Sequence, residues 1–252
     1  MSDGRWRLTA LEFTVLWERF GRDRLPYPFQ FRGTAATDEE FLADRRAAAQ
    51  KVVSMLDEGL YEALVALAEP AVRIELCGFR GTGLESMIRM HAGIRQSVAA
   101  VAVQLPGPDL HAGADVLLAS APVAQLGTFV AQSIPPVVPG RRRGVSVPRV
   151  VAPVSGGSVM QPASGARGSA ERDEFFRRPR TGLGEITVFA GPAYDNRPTG
   201  DGQGFHWMDF AEDGRYLVRG SDIVSALPAR GEDIAAEVQR LVGVVSAGAV
   251  GR

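Results

Sequence analysis

The pattern of apolar and polar positions predicts the same series of elements twice along the chain. In the second half it predicts a strand at Glu185–Ala190, a hairpin, a short strand at Asp222–Leu227 and a final helix. In the first half it predicts a helix near 122–134, preceded by strands near 72–79, 84–93, 97–104 and 110–118. The connections are too short for crossover helices, which favours antiparallel pairing. We therefore expect an α+β fold with two pseudo-twofold-related halves, each an antiparallel β-sheet with helices packed on it.

The second half carries the strongest local patterns. The dipeptide Asp213-Gly214 separates the apolar segments Trp207–Phe210 and Tyr216–Val218, and it predicts a hairpin with a type I′ turn. The final helix is predicted from apolar residues that recur on one helical face: Ile234, Val238, Leu241, Val242 and Val245.

The N-terminal region should form three helices. Two threonine–glutamate pairs have the spacing of capping boxes and should begin the first two, Thr9 with Glu12 and Thr37 with Glu40. The predicted helices cover about 8–20, 37–57 and 61–68.

A proline-containing segment follows the first of these helices. Prolines exclude helix here, and Tyr27, Phe29 and Phe31 alternate, so Tyr27–Phe31 is predicted to be an edge strand. An unsealed edge can pair with another copy of the chain. One interpretation of function is therefore a structural protein that self-associates through this edge.

The 252 residues fit a single domain with two halves and a connector. We expect an N-terminal half at 5–134, a linker at 135–183 that is rich in Pro, Gly and Ser, and a C-terminal half at 184–247. Two basic runs, Arg141–Arg143 and Arg177–Arg180, fall in the linker, and we interpret them as solvated loops, with an anion or partner site as the alternative.

Composition narrows the functional classes. A net charge of −1 lacks the basic surplus typical of nucleic-acid binding, and no run of about 20 apolar residues predicts a membrane span. The N-terminus lacks a secretory signal, and the single cysteine, Cys77, cannot form an intramolecular disulfide. These features predict a cytoplasmic protein in which Cys77 is a buried structural residue.

No motif predicts catalysis, a metal site or a cofactor. His91, His111 and His206 lack the spacing of metal ligands, and the glycine-rich turns lack a Walker lysine and a following helix. On a strand His206 and Asp209 face opposite sides, so they cannot form a dyad. We therefore expect a protein that is not an enzyme.

Five segments resemble the EspG family, the cytosolic chaperones of type VII (ESX) secretion. They are Trp6–Phe13, Leu25–Phe29, Glu69–Leu76, Gly214–Val218 and Ala226–Ala229. The resemblance implies an α+β fold with pseudo-twofold halves and a protein that holds PE–PPE heterodimers soluble before secretion. A helical pair with an exposed apolar tip aggregates unless another surface covers it.

The resemblance also implies where the PPE tip would bind. One contact region is the loop between the first two long sheet strands, and the other is the exposed face of the final helix. The positions that correspond in this sequence are Phe79, Arg80, Thr82 and Leu84 in the loop, and Glu237 and Arg240 on the helix.

An alternative from another class is a small-molecule-binding protein or enzyme with a pocket between the two sheet halves. A deep pocket where polar groups converge would favour it over a binding scaffold. The polar groups that would form such a pocket are Arg73, Arg89, His91, His206 and Asp209.

Overall fold

The computed structural model of the chain describes residues 4–148, 172–193, 201–220 and 223–250. The Gly/Ser-rich middle of the expected linker lies outside these residues. The described helices are α1 (Ala10–Glu18), α2 (Asp38–Met55), α3 (Glu58–Ala68), α4 (Leu126–Gln132, after a 3-10 turn at Val123–Gln125) and α5 (Gly231–Val250), with a short helical segment at 172–176. The described strands are β1 (Arg5–Leu8), β2 (Val72–Arg80), β3 (Ser86–Arg95), β4 (Val98–Pro106), β5 (Gly113–Pro122), β6 (Val145–Pro148), β7 (Arg180–Ala190), β8 (Gln203–Phe210), β9 (Gly214–Gly220) and β10 (Ile223–Pro228).

The described strands form a single antiparallel sheet in the order β1-β5-β4-β3-β2-β7-β8-β9-β10-β6. The order is symmetric about the β2–β7 pair: each half has four consecutive strands, a short outer strand that pairs with the last of them, and a helix that follows. The prediction of two related halves is confirmed. The two halves share one sheet because β2 and β7 pair along their length, from Val72 opposite Ala190 to Arg80 opposite Gly182.

Helices cover both faces of the sheet. Helices α4 and α5 pack on one face over the central strands, where Trp207, Ile74 and Val238 belong to the largest apolar cluster. Helices α1–α3 pack on the other face over β4 and β5. Over the second half, that other face carries a small aromatic cluster that includes Phe175 and Tyr216. The one-faced pattern predicted for α5 is confirmed, since Ile234 and Val238 are fully buried.

The predicted helix starts are found, one with a complete capping box. At α1 the Thr9 hydroxyl accepts from the Glu12 amide, and the Glu12 carboxylate accepts from the Thr9 amide at 2.8 Å. At α2 the Thr37 hydroxyl accepts from the Glu40 amide, whereas the Glu40 carboxylate accepts from the Ala36 amide. Strand β1 was not predicted; it precedes the predicted first helix (8–20) and overlaps it only at Leu8.

The prediction of an edge strand at Tyr27–Phe31 is wrong. The segment is irregular, with a turn in which the Phe29 amide donates to the Pro26 carbonyl. The Gln104 side chain bonds both the amide and the carbonyl of Gln30, so a side chain occupies the groups that a neighbouring strand would use. The outer strands of the described sheet are β1 and β6, so self-association through Tyr27–Phe31 has no edge to use.

The hairpin around Asp213-Gly214 is confirmed, but its turn type is wrong. Phe210 lies opposite Gly214, so the loop contains the three residues 211–213. Positive φ occurs at Glu212 (60°) and Gly214 (147°), and Asp213 lies between them. Glycine is needed at 214 because a Cβ there would lie 2.6 Å from the Val138 carbonyl oxygen.

Two further expectations change in detail. Cys77 is free but only partly buried. Strand β6 and the first residues of β7 lie within the range expected to be a linker, and β6 pairs with β10, with Val145 opposite Ala226. The bounds of the two halves and of the linker stay a prediction.

Candidate functional site

One end of the sheet brings together segments that are distant in sequence. The β2–β3 turn, the β8–β9 turn and the start of α5 all lie there. The strand register shows this through four cross-strand pairs: Arg80 with Gly182, Arg180 with Phe210, Phe210 with Gly214, and Tyr216 with Pro228.

The last two residues of β2 and the β2–β3 turn contain the four positions implied by the family resemblance. Arg80 and Thr82 are exposed, while Phe79 and Leu84 are partly buried. The turn is fixed at both ends, because the Gly81 amide donates to Thr181 on β7 and the Leu84 amide donates to Gly81. Leu84 has a φ of 56°, which is unusual for a bulky side chain. The turn therefore presents Arg80 and Thr82 from a fixed backbone.

The other implied region, on α5, differs from the expectation of an exposed Glu237. The Glu237 side chain is only 4% exposed. Its carboxylate accepts two hydrogen bonds from Arg219 and two from Arg240, all at 2.8–2.9 Å. The two arginine side chains are about half exposed. The exposed surface here is therefore formed by Arg219 and Arg240, and Glu237 orients them from below.

The structure does not bring the two implied regions together. Arg219 lies four residues beyond Arg215 on β9, in the half of the strand away from the β8–β9 turn. Within the described residues, no hydrogen bond or ion pair links Glu237 or Arg240 to the β2–β3 turn.

The arginine pair sets the ionisation of Glu237. Hydrogen bonds from Arg240 and then Arg219 lower the pKa of Glu237 from 4.5 to about 2, although burial alone would raise it. A carboxyl group whose pKa is lower in the folded protein stabilises it above the unfolded pKa, and this contribution is lost as the pH falls through the folded pKa.

We expect Glu237→Gln to lower the free energy of unfolding at neutral pH by about 1–3 kcal/mol, with the half-exposed arginines limiting the effect through solvent screening. The difference from the wild type should stay constant above about pH 4.5 and narrow steadily towards pH 2. Urea unfolding over a pH series measures it. Glu232→Gln, at an exposed carboxylate in the first turn of the same helix, is the matched control and should change stability little. A Glu237→Gln difference that does not depend on pH would contradict this account.

A large cavity that the sequence did not predict lies beside α4 and α5. The helices approach closely at Gly127, where a Cβ would lie 2.3 Å from the Ala235 carbonyl oxygen. The adjacent cavity measures about 650 Å³ and is lined mainly by apolar groups. The only sequence signal was Pro135-Pro136, which ends α4 and turns the chain along the cavity. Its lining includes Ala131, Ile134, Val138, Arg215, Arg230 and Ala235.

A buried ion pair forms part of the cavity wall. The Arg215 guanidinium donates to both Asp209 carboxylate oxygens, at 2.7 and 2.8 Å, and to the Pro135 carbonyl. Both side chains are at most 6% exposed. Arg215 therefore holds the segment after α4 against β9, which shapes the cavity without offering it a free charge.

A second charged cluster surrounds Asp213 in the β8–β9 turn. One carboxylate oxygen accepts the amides of Arg141 and Arg142, and the other accepts from the Arg178 guanidinium and the Tyr216 hydroxyl. Burial alone would raise the pKa of Asp213, but these hydrogen bonds together lower it to about 2. The two basic runs interpreted as separate solvated loops therefore meet at one carboxylate.

The five polar residues of the alternative function do not converge. Asp209 lies on the sheet face covered by α4 and α5, with Trp207, whereas His206 lies on the opposite face. His206 is exposed and 3.7 Å from the Glu185 carboxylate. The prediction that His206 and Asp209 cannot form a dyad is confirmed.

The other three residues, Arg73, Arg89 and His91, lie on the sheet face opposite α4 and α5, and each has its own partners. Arg73 bonds Glu75 and the Gly191 carbonyl, and Arg89 donates to the Leu110 carbonyl. His91 is fully buried beside Trp17, and burial lowers its pKa to about 4, so it is neutral at physiological pH. Within the described part of the chain, these three side chains are held by different partners, which removes the geometric support for a small-molecule site formed by all of them.

Within the described ranges, no group of three or more His, Cys, Asp or Glu side chains is placed to hold a metal ion. None of the helices in the part of the chain that the structure describes is long and apolar enough to cross a membrane.

The fold places the chain among α+β proteins built from two pseudo-twofold halves that share one antiparallel sheet. The EspG family model matches residues 9–240, and the chain belongs to the EspG family. Among solved structures it is similar to EspG5 of Mycobacterium tuberculosis, a type VII secretion system chaperone solved in complex with a PE25–PPE41 dimer. That likeness has a TM-score of 0.54 at 10% identity, and it covers 94% of this chain and 95% of the other. A search among curated protein sequences found no match.

Proposed function

We propose that this protein is a cytoplasmic chaperone, without enzymatic activity, that binds a PE–PPE heterodimer and keeps it soluble for type VII (ESX) secretion. The observation that carries the proposal is membership of the EspG family over residues 9–240. The fold supports it, because a similar architecture in EspG5 was solved with a PE25–PPE41 dimer bound. An apolar helical tip that would otherwise aggregate needs such a covering surface.

The PPE tip would contact the end of the sheet at the β2–β3 turn and the surface of α5. Phe79, Arg80, Thr82 and Leu84 are the contact residues of the turn. On α5 the contact residue would be Arg240, whose guanidinium is oriented by two hydrogen bonds to the Glu237 carboxylate. The apolar cavity beside α4 would be a further binding site for large apolar side chains of the tip. A few buried anchor residues usually contribute most of the binding energy of an interface.

Co-expression tests the proposal directly. The protein and a PE–PPE pair from the same genome should yield a soluble complex with one copy of each chain on a sizing column. The PE–PPE pair expressed without the protein should be less soluble. If every pair tried stays insoluble or elutes separately, the proposal is wrong.

Paired hairpin variants test the location. Arg80→Glu with Thr82→Glu should weaken binding of the PE–PPE pair at least about tenfold, because contact residues at the centre of an interface tolerate new charge poorly. Arg95→Glu with Ser97→Glu is the matched control, since both side chains are exposed in the β3–β4 turn at the opposite end of the sheet. Titration calorimetry measures both affinities. Equal losses in the two variants would place the site elsewhere while leaving the chaperone role intact.

A further inference from the structure

The Asp213 cluster gathers two basic runs into one surface. The Asp213 carboxylate fixes the backbone of 141–142 through two amides, at 2.7 and 3.3 Å, and it holds the Arg178 side chain at 2.5 Å. Gly140 packs so closely on the Tyr216 ring that a Cβ would lie 2.1 Å from it. The backbone that carries the first basic run is therefore anchored, while the residues of the run, 141–143, are exposed.

Four arginines on this surface are exposed and make no side-chain hydrogen bond or ion pair within the described residues. We call Arg141, Arg142, Arg143 and Arg177 the arginine cluster. Asp213 is already occupied by its own partners, and Asp173 pairs with Arg172. The two remaining exposed carboxylates of these elements, Glu174 and Glu212, offset only part of the charge. The cluster is thus a positive region on a chain whose net charge is −1.

Two guanidinium nitrogens of the neighbouring residues, Arg178 Nη2 and Arg180 Nε, are buried and have no hydrogen-bond partner among the described residues. Most buried polar groups in native proteins are paired, and a buried donor without an acceptor is costly. Both nitrogens are inaccessible to solvent, so a ligand would be bound by the exposed guanidinium groups of the cluster.

We propose that the arginine cluster binds an acidic stretch of a partner polypeptide. Carboxylates suit it, because guanidinium groups form short, charge-assisted and often bidentate hydrogen bonds with them. This inference goes beyond the proposed chaperone role and does not depend on it.

The surroundings favour an acidic polypeptide over nucleic acid. Single-stranded nucleic acid needs exposed aromatic faces for base stacking. The rings of Phe175, Phe210 and Tyr216 are buried, and the Arg178 guanidinium covers Phe210 at 3.8 Å and Phe175 at 4.2 Å. Duplex binding needs a basic surplus over a wide surface, which a chain of net charge −1 lacks.

The test measures binding of a fluorescein-labelled, glutamate-rich peptide to the full chain by fluorescence anisotropy at low salt. The wild type should bind it, and added salt should weaken binding. Replacing the four cluster arginines with glutamine should reduce affinity at least about tenfold. The control replaces four exposed arginines that lie apart, Arg19, Arg32, Arg46 and Arg95, and should change affinity by about twofold at most.

Folding is monitored through the urea midpoint, which should stay at the wild-type value because Asp213 uses only backbone amides of 141 and 142. Arg143→Gln alone gives a second measure, and it should weaken peptide binding by about threefold. Absence of peptide binding at low salt would overturn the proposal. So would equal losses in the cluster and control variants, or tighter binding of a single-stranded oligonucleotide than of the peptide.

Discussion

Asp213→Asn should lower the free energy of unfolding by about 3–5 kcal/mol, because it leaves the Arg178 guanidinium buried without a counter-charge. The two side chains are 6% and 14% exposed, so solvent cannot replace the lost partner. Asparagine keeps one oxygen for the backbone amides, and the lost charge is therefore the main change. Equilibrium unfolding in urea measures the effect.

Asp173→Asn is the matched control, because Asp173 forms an ion pair with Arg172 in which the side chains are 44% and 26% exposed. Exposed pairs contribute about 0–1 kcal/mol, so the control should change stability little. Adding Arg178→Met to Asp213→Asn should recover part of the loss, since an apolar chain can pack on Phe210 without needing a charge. Equal losses at Asp213 and Asp173 would show that the Asp213 pair is not strongly desolvated.

Local patterns predicted the elements of this fold well. Apolar residues recur with a period of two in a strand and 3.6 in a helix when one side faces the core. Both periods can be recognised from residues that are close in sequence. The four strands of each half, the face of α5 and the Thr9–Glu12 capping box were therefore readable from the sequence. Apolar and polar residues also alternate in Tyr27–Phe31, but there the Gln104 side-chain amide bonds the backbone amide and carbonyl of Gln30. Contacts with a distant residue overrode that local pattern.

The features that the sequence could not predict depend on pairing between distant residues. The β2–β7 pair joins residues over a hundred positions apart, and the arginine cluster forms only because the Asp213 carboxylate holds two segments from opposite ends of the 135–183 range. In the candidate site, Arg80 and Thr82 are exposed as expected. Glu237 is instead buried, and Arg219 on β9 donates a hydrogen bond to its carboxylate. The pattern of apolar and polar residues along α5 alone gives no information about a partner on a strand.

The second large expected effect on stability concerns the β2–β7 pair, where the two halves join. Gly78, Gly184 and Trp207 form a row across β2, β7 and β8 on the face under α5. A Cβ at Gly184 would lie 2.0 Å from the Trp207 ring and 2.6 Å from the Cys77 carbonyl oxygen. The indole is fully buried over the glycines. The atoms that a Cβ would meet belong to a buried ring and to paired backbone, so the close approach of β2, β7 and β8 at this point requires glycine at 184.

Gly184→Ala should therefore lower the free energy of unfolding by about 3 kcal/mol or more, at the upper end of the effect of overpacking. Gly220→Ala is the control within a strand, because its nearest neighbour would be 3.8 Å away, and it should change stability by about 0.5 kcal/mol at most. Combining Gly184→Ala with Trp207→Phe should cost less than the sum of the two single changes, since the smaller ring leaves space for the methyl group. Among the residues that the structure describes, the indole N–H has no hydrogen-bond partner to lose. Additive losses in urea unfolding would mean that the ring does not set the tolerance at Gly184, and that the Cys77 carbonyl does.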